Sequence, residues 1–205
     1  MRRRLTLTVV AAVTAFLPMA CAYEGLTMSA TRAVILQGQG ALAAPAPGLT
    51  ADTYNPALAP VGARLNASMN PSGTSTTAVL EVSGMLPNRS YAVLAHTHGC
   101  GADPAAAGPA YQNRVDPAAT AQAPSTNPEF ANPQNEVWME VRTDANGAGT
   151  ARTTVPFVFN DRGPGSLMVH QAMEIATGPG HAGDAGAPVA CLTMSAVGNQ
   201  GATLK

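Results

Sequence analysis

The chain has 205 residues, 11 basic and 12 acidic, with 4% aromatics and no basic stripe, which excludes a nucleic-acid surface. Its length suits one domain with a real core. Low charge (11%) beside 20 glycines and 17 prolines reads as a loop-rich β protein rather than a helical bundle.

The chain opens Met1-Arg2-Arg3-Arg4 and runs apolar from Leu5 to Met19. A basic start, a short apolar run and small residues after it describe a secretory signal peptide over 1–22. Ala20-Cys21-Ala22 fits the small-x-small cleavage pattern, giving a mature start near Tyr23. The alternative is a lipoprotein with Cys21 lipidated, although Pro18 and Met19 make a poor lipobox. The run is too short for an ordinary membrane span, and none is expected in the mature chain. Either way the protein is expected to be secreted or held in the cell envelope. Removing Arg2, Arg3 and Arg4 leaves 8 basic against 12 acidic residues, a formal charge of −4. Cys100 and Cys191 then remain as an even pair, and a disulfide is the default reading in an exported chain, two buried thiols the other.

Short strand-like runs follow, divided by Gly, Pro, Asn and Asp clusters. The first is Ser29 to Leu36. An Ala/Gly/Pro-rich connection over 37–60 reads as a long loop. Residues 62–69 and 76–82 alternate apolar and polar around Pro71-Ser72-Gly73, which predicts a hairpin. A strand is predicted from Tyr91 to His98. The stretch 99–135 has no periodicity, and a loop that long is usually functional or tied down. Val137 to Val141 resumes a strand, Asp144-Ala145-Asn146-Gly147 predicts a hairpin turn, and residues 149–159 are its partner, with Pro156 marking an edge or strand end. Residues 165–171 and 189–195 complete about eight strands, at the spacing of a sandwich or barrel. The barrel proper is placed at 61–197, the first strand near 29–36 belonging to it, 23–60 being that strand plus the connection, and 198–205 a tail.

Side chains two apart on a strand share a face, so His96 and His98 are expected to point the same way and grip one ion. Imidazole is the commonest metal-ligating side chain. His170 is a third candidate, on a distant strand.

Read together, His96-Thr97-His98, Gly99-Cys100, Gly108-Pro109, Met168-Val169-His170 and Gly183-Asp184-Ala185-Gly186 followed by Ala190-Cys191 resemble the copper/zinc superoxide dismutase family. That family carries H-x-H, G-C, G-P-H-F, a V-V-H-E-like strand and G-N-A-G-x-R-L-A-C in this order. The resemblance runs from about Ala30 to Val197. It implies an all-β, eight-stranded Greek-key barrel or sandwich with long loops, copper on His96, His98 and His170, and a Cys100–Cys191 disulfide. Two family positions are changed. The histidine that bridges copper and zinc falls at Ala110, and the arginine that guides superoxide falls at Pro188. The loop 99–135 holds no histidine, so zinc is not expected. Its Gln112 and Asn113 amides are poor zinc ligands, and Asp103, Asp116 and Glu129 read as solvated carboxylates.

His181 and Met168 are further copper-ligand candidates, and Glu136 is a candidate partner to a ligating imidazole. Trp138 reads as a core anchor. Arg114, Arg152 and Arg162 are candidates to replace the missing arginine in space; each otherwise reads as an ordinary surface residue. The functional readings are a secreted copper-only dismutase of weakened turnover, a copper-binding or buffering protein, and a structural barrel with vestigial histidines. The partners implied are superoxide or copper ions, with a homodimer left open.

Overall fold

A computed structural model of the protein describes residues 33–160 and 162–197. The expected signal peptide, Cys21, the start of the first expected strand (29–32) and the tail 198–205 lie outside the described residues. No helix among the described residues is long and apolar enough to cross a membrane.

The described residues are all-β. In chain order the strands are β1 (Leu36–Ala41), β2 (Ala51–Thr53), β3 (Arg64–Ser72), β4 (Ser75–Ser83), β5 (Ser90–His96), β6 (Trp138–Arg142), β7 (Gly149–Val155), β8 (Ser166–His170), β9 (Pro188–Thr193) and β10 (Ser195–Ala196). One sheet has the order β10-β1-β3-β4-β7, the other β2-β9-β8-β5-β6. Neighbouring strands pair antiparallel throughout. Among the described residues no ladder joins the two sheets into a closed barrel.

The predicted hairpin forms: β3 pairs β4 from Arg64↔Ser83 to Ser72↔Ser75, turning at Gly73 with φ +60°. Leu65, Ala67 and Met69 with Ala78, Leu80 and Val82 are buried, as their alternation predicts. The second predicted turn behaves otherwise. Asp144 to Gly147 does turn the chain, with Gly147 at φ +75° and the Asp144 carboxylate accepting from the Asn146 and Ala148 amides. However, β6 and β7 lie in different sheets, so this connection is a crossover at the sheet edges. β7 stops at Val155, immediately before Pro156.

The first strand is misplaced by sequence reading. β1 starts at Leu36, the last residue of the expected strand, and runs on to Ala41 in the stretch expected to be a loop. After the buried Leu36 its inward positions are Gly38 and Gly40, so most of the strand carries no apolar signal. A Cβ on Gly38 would fall 2.9 Å from Met194 Sδ, and one on Gly40 would fall 2.5 Å from Ala51 Cβ. Glycine is required there because the other sheet's chain passes too close for a side chain.

The two faces of β5 and β8 position the site. Tyr91, Val93 and Ala95 of β5, with Leu167 and Val169 of β8, join the main core between the sheets. The alternate residues point outward but are also covered. Ala92 and Leu94 pack with Trp138 of β6 and with Ala131, Ile175, Ala182 and Ala185 from the long loops. Met168 packs with Ala107 and Cys191. His96 and His170 belong to this outer face, under the loops rather than in the core.

Candidate metal centre

β5 and β8 share a ladder from Ala92↔His170 to His96↔Ser166, so the two histidines stand at its opposite ends. Their side chains nevertheless meet, with ring centroids 5.8 Å apart and planes inclined by 26°. Each ring is held by a backbone carbonyl: His96 Nδ1 lies 2.7 Å from Gly108 O, and His170 Nδ1 lies 2.8 Å from Gly186 O. A carbonyl oxygen only accepts, so each Nδ1 carries the proton and donates it. The tautomer follows: in both rings the lone pair sits on Nε2. Both Nε2 atoms are buried and have no hydrogen-bond partner.

Burial also keeps the rings neutral. It pushes the His96 pKa down to about 4, against the Gly108 carbonyl, with His170 adding to the depression. Burial lowers His170 too, opposed by the Gly186 carbonyl and by Asp184. Two neutral imidazoles with buried, unpartnered Nε2 atoms therefore lie side by side.

The rings line a cavity of about 300 Å³, shared with Leu94, Pro109, Ala110, Glu136 and Asp184. Ala110 is there because residues 107–111 run alongside the end of β5. The Thr97 amide donates to Pro109 O, the His98 amide to Ala107 O and the Tyr111 amide to Ala95 O, with Ala110 opposite His96.

This pairing also separates the H-x-H residues. β5 ends at His96, and the chain bends through Thr97 and His98. The His98 side chain is exposed and does not line the cavity, so strand alternation does not carry it to the side of His96. His181 is exposed in a turn, and Met168 is buried in its own apolar cluster; neither lines the cavity. Among the described residues no group of three His, Cys, Asp or Glu is placed to hold a metal.

Glu136 lines the cavity, but it does not touch the imidazole N–H groups, which the glycine carbonyls occupy. Its Oε1 accepts from Gln112 Nε2 at 2.8 Å and its Oε2 from Trp138 Nε1 at 2.6 Å. Burial holds its carboxyl above the usual range, against these two donors. Trp138 thus both packs in the loop cluster and anchors this carboxylate.

The long loop is tied down. Asn135 Nδ2 donates to Arg114 O and Phe130 O, and Gln112 Oε1 accepts from the Asp116 amide. Asp116 is buried rather than solvated, because its carboxylate accepts from Ser125 Oγ and the Ala118 amide, which hold its pKa low. Asp103 caps a 3-10 turn, Pro104–Ala107, and Glu129 is exposed and paired with Arg114 at 3.1 Å. Cys100 and Cys191 form the disulfide, fastening the start of the loop to β9.

Of the three candidate arginines, Arg162 lines a cavity that adjoins the centre. This second cavity, of about 190 Å³, shares Ala110, Ser125 and Glu136 with the first. Its Nη2 donates to Asn113 O, and its guanidinium lies 4.9 Å from the Tyr111 ring centroid. Arg152 lines grooves elsewhere. Pro188 opens β9 opposite His170 and does not line the cavity.

Gly108 and Gly186 stand in the sequence motifs, but only the structure shows that they orient the rings through their carbonyls. Each sits in a Gly/Pro cluster at positive φ, 70° and 72°. Gly108 is also crowded: a Cβ there would clash with Thr97 Oγ1 and fall 2.7 Å from His98 Nδ1. Gly108→Ala should therefore destabilise the fold by about 1–3 kcal/mol and loosen the His96 ring. Denaturant titration checks the first effect, and loss of the protected imidazole N–H signal in proton NMR checks the second. No family model and no curated protein matches this chain.

Proposed function

We propose that the chain is a secreted, superoxide dismutase-like copper protein in which His96 and His170 bind the metal through Nε2. The observation that carries this reading is the pair of buried, partnerless Nε2 atoms on two neighbouring rings that line one cavity. An ion bound by both at the usual ~2.0–2.1 Å metal–nitrogen distance keeps the ring centroids within about 6.5 Å of each other, and 5.8 Å satisfies that. Supporting the dismutase-like reading are the motif order, the Cys100–Cys191 disulfide and the place of Ala110, which faces His96 where the family's bridging histidine stands. Under this reading the two sheets are the Greek-key arrangement of that family.

Bound copper supplies one-electron chemistry: one superoxide leaves as oxygen, and the next takes up an electron and two protons to leave as peroxide. The chain's own groups orient the two imidazoles, exclude other donors and place the Glu136 carboxyl in the cavity wall. Arg162 supplies positive charge at the adjoining cavity, which attracts an anion. Turnover falls well below that of a chain with the full family set, because Ala110 can neither ligate nor pass a proton and Pro188 carries no charge. The exposed His98 favours a second reading, copper binding without turnover.

Copper per chain and superoxide removal by the copper-loaded, dialysed protein test both. No copper uptake overturns both readings. Copper bound tightly with activity no higher than free-copper controls leaves only the second. Ala110→His with Pro188→Arg should raise the rate by roughly 10-fold or more if the first reading holds. An unchanged rate in the folded, copper-loaded double variant counts against it.

A further inference from the structure

We infer that the His96–His170 centre selects a soft monovalent cation, the cuprous ion in the case of copper, held by two imidazoles alone. This rests on the copper reading above and says which oxidation state the site is built for.

The donor count comes first. Two neighbouring rings with buried, unpartnered Nε2 atoms line the cavity, and the other candidate ligands do not: His98 and His181 are exposed and Met168 is packed elsewhere. Cupric and zinc ions ask for four or so donors, whereas a filled-shell monovalent ion accepts two. Charge comes second. The cost of taking an ion out of water grows with the square of its charge, so a dication costs about four times as much as a monocation at the same site. Both ligands are neutral, and the buried anion nearby is Glu136, whose oxygens already accept from Gln112 and Trp138. That carboxylate balances one positive charge across the cavity without ligating it. Asp184 also lines the cavity, but it is exposed and its Oδ1 accepts from the Gly186 amide. The surroundings come third. Leu94, Pro109, Ala110, Ala121 and Pro124 provide apolar walls, which do not hold the extra water ligands a dication would need.

The test is a competition titration of the purified protein. Cuprous ion is added without oxygen against a chromogenic cuprous chelator, cupric ion is added in air against an amino-acid competitor, and silver(I) serves as a redox-inert probe. One cuprous or silver ion per chain is expected, bound about 100-fold or more tightly than cupric ion. X-ray absorption of the cuprous protein should show two nitrogen neighbours. His98→Gln and His181→Gln should leave cuprous affinity within about twofold, and His96→Gln and His170→Gln should each lower it by about 100-fold. Equal or tighter cupric binding, three or more nitrogen neighbours, or a large loss in His98→Gln overturns this inference while leaving copper binding intact. No binding of either copper ion overturns it together with the reading beneath it. If His96→Gln or His170→Gln does not fold, the neighbour count in the unaltered protein decides.

Discussion

Replacing both Cys100 and Cys191 by serine should lower the free energy of unfolding by about 4–5 kcal/mol, the largest single effect expected in this chain. The two cysteines are 91 residues apart, so their bond closes a long loop and removes much of the freedom of the unfolded chain. For a protein of this size that corresponds to a fall in melting temperature of roughly 10–20 °C. The cost does not stop at chain entropy. Cys191 is fully buried beside Ala107 and Met168, and Cys100 packs against that cluster, so serine also leaves a hydroxyl in an apolar place. Because Cys100 begins the loop that carries Gly108, the loosened loop should weaken the grip on His96 as well. Calorimetry of oxidised, reduced and double-serine protein checks the prediction. A melting temperature unchanged by reduction would show that the bond contributes nothing to the fold.

The metal-free protein should lose stability between pH 6.5 and 4 by at most about 3 kcal/mol on account of His96. The sign follows from its pKa, about 4 in the fold against 6.5 when unperturbed. Above pH 6.5 the ring is neutral in both states and the contribution is complete. As pH falls through this window the unfolded chain takes the proton and the folded chain refuses it, so unfolding gains. Below pH 4 the effect levels off. His170, also lowered, acts in the same direction. Glu136 and Asp52 act the other way: burial raises their pKa values, so their contribution is present at low pH and lost as pH rises through the folded values. Denaturant titrations at pH 7 and 4.5, in wild type and His96→Gln, isolate the histidine. The variant should show a flatter pH dependence. Equal slopes would mean that His96 is free to protonate in the fold.

Both predictions depend on groups that sequence reading found, and both owe their size to surroundings it did not find. The alternation in β3 and β4 is plain because one face of that hairpin is core and the other solvent. Beyond Leu36, β1 is invisible because its inward positions, Gly38 and Gly40, are glycines, which permit close approach of another chain segment rather than apolar contact. The Asp144–Gly147 turn is legible as a turn, but whether it joins strands of one sheet or two depends on which partners β6 and β7 find elsewhere.

The site divides in the same way. The sequence by itself determined an all-β chain, the Cys100–Cys191 pair, and His96 and His170 as candidate ligands, because residue type and two-residue periodicity are local properties. Tertiary structure alone decided which histidines meet. His98 leaves the set because residues 107–111 take the hydrogen bonds that would have continued β5, and Glu136 turns to Gln112 and Trp138 because the long loop folds over it. It also decided the protonation state of each ring, since the glycine carbonyls that fix Nδ1–H come from segments 12 and 16 residues away along the chain. Burial and hydrogen-bond direction belong to the packed molecule, and those two quantities leave the Nε2 atoms of both rings buried and without a partner.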